Sequence, residues 1–140
     1  MTENIVVLVT CGSKEEGSQI GRALVKARLA ACVNVLEAPI ESIYSWKGKV
    51  DTAKEFLMII KTSRPRFAAL QEMVKRLHSY DIPEIIALPI EKGSRDYLAW
   101  LADSVRSPEC RFRLAPGRDR GPRSDRRHLR FPPRGGSSHR

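Results

Sequence analysis

Two short runs, NIVVLVTC (4–11) and EFLMIIKT (55–62), constrain this chain more than any other feature. Each is continuously apolar and rich in β-branched residues, the composition of a buried strand. In the second, Phe56, Met58 and Ile60 fall on one parity while Leu57 and Ile59 fall on the other. A strand apolar on both sides cannot leave one face of its sheet in water, so a layer must cover each face.

The segments between and after these runs supply the rest of the pattern. Ser13-Lys14-Glu15-Glu16 has capping-box spacing, predicting a helix with Ile20, Ala23, Leu24, Ala27 and Ala31 on one face. CVNVL (32–36) begins a second strand, which is interrupted around Pro39 and continues through IESIYSW (40–46). Trp46-Lys47-Gly48-Lys49 reads as a turn with glycine where a positive φ is needed, and 55–62 returns antiparallel. Ser63 and Pro65 open a second helix with Phe67, Leu70, Met73, Val74 and Leu77 as its stripe, ending near His78. EIIALPI (84–90) is the fourth strand, and a helix opened by Gly93-Ser94 carries Tyr97, Leu98, Leu101 and Val105. The order β-α-β-β-α-β with an added C-terminal helix predicts an α+β, ferredoxin-like split βαβ subunit with an antiparallel sheet. Helices cover one face. With no further domain in the chain to cover the other, a second copy is the expected partner, giving an obligate oligomer.

Charge divides the chain at residue 106. Residues 1–106 hold 15 Lys+Arg against 13 Asp+Glu; residues 107–140 hold 10 Arg, no Lys and 3 acids. The net charge of +9 therefore belongs mostly to the tail. Domain boundaries follow: a folded unit over 1–106 and an Arg/Pro/Gly-rich segment over 107–140, expected to be disordered. One reading gives that tail alone a nucleic-acid contact, held by phosphates; an unselected extension is the competing reading. No apolar run reaches the ~18 residues of a membrane span, and no basic region precedes the first apolar run, so a cytoplasmic protein is expected. Three scattered cysteines, Cys11, Cys32 and Cys110, make no disulfide framework.

ARLAACVNV (27–35), SIYSWKGKV (42–50), EFLMIIKT (55–62), HSYDIPEIIALPI (78–90) and YLAWL (97–101) together resemble the CutA family, the divalent-cation tolerance proteins. The resemblance implies a trimeric assembly with strands of adjacent subunits pairing edge to edge. It also implies a cytoplasmic role in tolerance of copper and other divalent metals. The family often has His-Pro-Tyr where this chain has His78-Ser79-Tyr80, and the tail has no counterpart in it.

His78 is the first metal candidate, since imidazole is the commonest ligand near neutral pH. The competing reading makes it a helix-end residue in the last turn, complementing the dipole. Cys11 stands at the end of the first strand, where a thiolate would suit Cu(I) and a helix N-terminus would lower its pKa; an inert packed thiol is the alternative. Asp81 and Glu84 flank Pro83 and can offer carboxylate oxygens beside His78. No CxxC, HxxxH or HExxH spacing occurs, so any metal site must gather ligands from separate elements or subunits. Glu55 and Lys61 are expected in salt bridges between subunits, and Tyr44, Trp46 and Trp100 in subunit contacts or a cleft. No nucleophile–base set or phosphate loop can be assembled, and no organic cofactor is implied, so an enzyme is not expected. A homotrimer binding copper or another divalent cation is the leading expectation. A PII-like signalling or scaffold trimer, binding a small molecule or protein at subunit clefts, is the alternative.

Overall fold

The computed structural model describes residues 2–106; the expected disordered tail lies outside the described residues. Its elements are β1 (Asn4–Cys11), α1 (Lys14–Lys26), β2 (Cys32–Val35), β3 (Ile40–Trp46), β4 (Lys49–Ser63), α2 (Phe67–Leu77), β5 (Ile85–Pro89) and α3 (Arg95–Ser104), with a 3-10 turn at Arg64–Arg66 ahead of α2. The sheet order is β2-β4-β1-β5 and every pairing is antiparallel. This is the expected ferredoxin-like arrangement. Two long apolar strands stand at its centre because only they can be buried on both sides.

The third strand is much longer than its apolar run. β4 has 15 residues, and its first half pairs with β3 as a hairpin that projects beyond the sheet. The register Trp46↔Lys49 leaves only Lys47 and Gly48 in the loop, at φ 50° and 76°. Two successive positive φ values define the hairpin turn whose twist matches that of the strands. Hydrophobicity ends at Glu55, but backbone pairing continues to the turn.

Alternation along β1 separates the two faces. Ile5, Val7, Val9 and Cys11 join Met58, Ile60, Ile20, Leu24, Leu70 and Val74 in the main core beneath α1 and α2. α1 differs from its predicted stripe: it ends at Lys26, Ala27 is its exposed C-cap, and Gly17 and Gly21 are buried instead. A Cβ on Gly21 would stand 3.0 Å from Val33 Cγ1, so the missing side chain lets α1 lie close against β2.

Asn4 alternates with Ile5 and so faces the other way, where its Nδ2 donates to Leu98 O of α3 at 3.4 Å. Leu101 of α3 and its C-cap Val105 are buried on this side, outside the main core. Part of the second face is therefore covered from within the chain, by α3. The remainder is open: Ile86 and Leu88 on β5, Ile82 before it, and Ile43, Trp46 and Val50 on the hairpin are all exposed.

Candidate functional site

The candidate residues gather where β1 ends, α1 begins and α2 stops. Ser13 caps α1 as expected, its Oγ accepting from Glu16 N at 3.1 Å. The reciprocal half of the capping box is replaced by a long-range contact. Glu16 Oε1 accepts from Ser79 N at 3.0 Å, and Ser79 Oγ lies 3.0 and 2.9 Å from the two carboxylate oxygens. One acid thus ties the start of α1 to the segment after α2. A proline at position 79 would offer neither donor; this chain replaces proline's rigidity with hydrogen bonds.

His78 is not in the last helical turn. It is the C-cap of α2, already extended at φ −78° and ψ 141°, and it is buried. Nε2 meets the Thr10 carbonyl at 2.7 Å, and Tyr80 N donates to Nδ1 at 3.0 Å. A carbonyl can only accept and an amide N–H can only donate, which assigns the proton to Nε2 and the lone pair to Nδ1. Glu16 Oε1 lies 3.4 Å from Nδ1. With both ring nitrogens engaged, His78 as placed does not fit a metal-ligand role. Its task is to fasten the end of α2 to the end of β1.

Cys11 is fully buried, with Sγ directed to Ser13 O at 3.3 Å and Phe56 O at 3.5 Å. Burial pushes its pKa up and the Glu16 and Glu55 charges push the same way, outweighing the backbone N–H groups of Ser13 and Gly17. The pKa is raised and not lowered as expected from the helix N-terminus, because desolvation and the two carboxylate charges outweigh the backbone N–H groups there. A thiol, not a thiolate, occupies this position at neutral pH.

Across β1, on the open face, lies a cleft of about 630 Å³ bordered by Tyr44, Trp46, Glu55, Tyr80, Ile82 and Glu84. Burial, and then the charge of Glu55, raise the pKa of Tyr80, whose hydroxyl is hydrogen-bonded to that carboxylate. The Tyr80 ring also packs on His78, with centroids 4.7 Å apart. Asp81 is exposed and does not border the cleft. Within the subunit Glu55 is engaged by Tyr80. Lys61 donates to Asn34 on the adjacent strand, and Trp100 packs against Tyr97 on α3 with centroids 5.5 Å apart. Among the described residues no three His, Cys, Asp or Glu side chains come together to hold a metal ion. His78, Cys11, Asp81 and Glu84 are therefore not one ligand set within a subunit.

Thr10, Glu16, Ser79 and Tyr80 were not among the predicted site residues. Glu16 carried one signal, its place three residues after an N-cap, and Ser79 and Tyr80 carried only their place in the family motif; the partners of Thr10 and Ser79 are distant in sequence.

The profile of the family described as "CutA1 divalent ion tolerance protein" matches residues 5–104, from β1 to the end of α3. The chain belongs to the CutA1 family. A divalent-cation tolerance protein CutA of Thermus thermophilus is 48% identical over 100 residues, covering 71% of this chain and 96% of that one. Its family counterpart in rice, a chloroplastic CutA 1, is 50% identical over 103 residues, covering 74% of this chain but 58% of the rice protein. This CutA chain therefore spans little more than half the length of that plant relative. Among solved structures, the Cut A1 protein of T. thermophilus superposes with a TM-score of 0.71 at 47% identity, covering 74% of this chain and 99% of that one. A protein of Archaeoglobus fulgidus described as periplasmic CutA gives 0.70 at 41%, covering 74% and 99%.

Proposed function

We propose that this CutA protein serves divalent-cation tolerance as a non-enzymatic homotrimer of the cytoplasm. In this reading it takes copper or another divalent cation through carboxylates at the cleft. The observation that carries it is the contrast in availability. His78 and Cys11 are buried and locked in hydrogen bonds, whereas Glu84 is exposed, and Glu55 borders the same cleft with one bond to Tyr80 and oxygen lone pairs to spare. Oxygen ligands favour hard cations and hold copper more weakly than a His/Cys set would, and further ligands come from a neighbouring subunit. Self-association is supported by the open sheet face and hairpin, where Ile82 is 92% exposed and Val50 79%. Apolar groups this exposed mark an association surface. The commitment of His78 to Thr10 and Tyr80, and the raised pKa of the buried Cys11 thiol, support a binding role for these two residue types over nucleophilic catalysis.

Calorimetric copper titration of the full-length protein, beside Glu84→Gln, Glu55→Gln and His78→Gln, tests this. Saturable binding weakened by the Glu variants and kept by His78→Gln supports the carboxylate reading. Binding that depends on His78 alone, or no saturable binding, overturns it. The aromatic border of the cleft favours one second reading, a PII-like trimer holding a planar small molecule against Tyr44, Trp46 and Tyr80. That ligand would quench tryptophan fluorescence in the wild type and not in Trp46→Leu.

A further inference from the structure

A chain of contacts joins the closed end of β1 to the wall of the cleft. His78 Nδ1 accepts from Tyr80 N at 3.0 Å, the two rings pack together, and the Tyr80 hydroxyl is hydrogen-bonded to Glu55. That hydroxyl also lies close over the turn into α1: a Cβ on Gly12 would stand 3.5 Å from it. The side chain of Tyr80 therefore borders the cleft while its backbone is held from behind by the imidazole.

That hold depends on one lone pair. Nε2 donates to the Thr10 carbonyl at 2.7 Å and can do so whether or not the ring is charged. Nδ1 is different. When the ring takes up a proton, Nδ1 becomes a donor and faces the Tyr80 N–H, a second donor, across 3.0 Å. The two repel, and an acceptor for the new N–H already stands 3.4 Å away in Glu16 Oε1. A metal ion at this nitrogen would need space and further ligands; a proton needs neither.

The charges set around the ring favour that uptake. Glu16 of α1 lies against Nδ1, the Cys11 thiol of β1 holds its proton, and Glu55 of β4 stands beyond the Tyr80 ring. Lys75 and Arg76, in the last turn of α2, are exposed, so water screens their positive charge more than it screens Glu16. Imidazole is also the side chain that ordinarily changes charge between about pH 5 and 8.

We propose that His78 is a proton-operated latch on the cleft. Neutral, it holds Tyr80 against Glu55. On taking one proton from solvent, its Nδ1–H bonds Glu16, the Tyr80 amide is released, and the segment from Tyr80 to Glu84 shifts with its side of the cleft. The latch belongs to the subunit and does not depend on which ligand the cleft takes.

Amide spectra of the full-length protein labelled with nitrogen-15 tyrosine test it. The chain has three tyrosines, and Tyr80→Phe identifies the signal of Tyr80. Between about pH 8 and 5 that signal should move upfield in a single titration as the amide loses its acceptor, while the signal of Tyr97 on α3 stays in place. His78→Gln, which takes up no proton, should hold the Tyr80 signal still over the same range. Glu16→Gln keeps an oxygen acceptor for Ser79 but removes the charge facing Nδ1, and should lower the midpoint by about one pH unit. A Tyr80 signal that stays still in the wild type, the same movement in His78→Gln, or an unchanged midpoint in Glu16→Gln would each overturn the latch.

Discussion

The two sides of the upper end of β1 differ in kind. Towards the helices, His78, Glu16, Ser79 and Cys11 form a hydrogen-bonded set, with His78 and Cys11 buried and Ser79 at its exposed edge. Towards the open face, one residue along the strand, Thr10 borders a cleft flanked by carboxylates and exposed aromatic rings. Residue types that suggest chemistry are concentrated on the first side, and groups free to do chemistry on the second. Histidine and cysteine are good ligands, but a buried imidazole with two satisfied nitrogens has no lone pair left to offer.

Losing the His78 ring would break the closed side most severely. His78→Ala leaves the buried Thr10 carbonyl and Tyr80 N–H without partners and opens a void, costing about 2–4 kcal/mol in urea unfolding. A cost below about 1 kcal/mol would show that the closed set is not structural. Glycine at position 21 comes next. Gly21→Val drives a branched side chain into Val33 and should cost about 1–3 kcal/mol, outweighing the improved helix propensity.

The open side is sharpened by Ile82→Asp and Trp46→Asp, which place charge on the exposed face. Sedimentation of these variants should show smaller species than the wild type, with the subunit fold retained in far-ultraviolet dichroism. Unchanged sedimentation would mean that this apolar face is not what joins the copies.

A gentler probe is alkaline titration. Cys11 and Tyr80 both have pKa values raised by folding, so the native state holds their protons more tightly than the unfolded chain. Stability is then full below the ordinary thiol value near 9 and declines as pH rises beyond it, towards the raised folded values. Melting temperature followed upward from pH 8 should fall, and Cys11→Ala should flatten the first part of that fall. The smallest effect expected is that of Ser79→Pro. It removes both donors to Glu16 but stiffens the unfolded chain, leaving a net loss of about 1 kcal/mol or less.

Most of the fold was legible because it rests on local signals. Ser13 before two acids starts α1, Gly48 marks the hairpin turn, and the two apolar runs could only become central strands. The C-terminal half of α1's stripe was misread because Ala27 and Ala31 are small and apolar, whereas the buried positions are glycines chosen for the closeness of β2. The cleft was legible in part: Tyr44, Trp46, Glu55 and Glu84 border it, while Lys61 and Trp100 are engaged elsewhere.

By itself, then, the sequence determined the element order, the two-sided burial of β1 and β4, and the family motifs, all of which depend on residue type and spacing. Only the tertiary structure decided what His78, Cys11, Glu16 and Asn4 do. Their roles are set by groups up to 94 residues away in the chain. A side chain's chemistry depends on which partners have already claimed its lone pairs and protons, and spacing along a sequence does not carry that information.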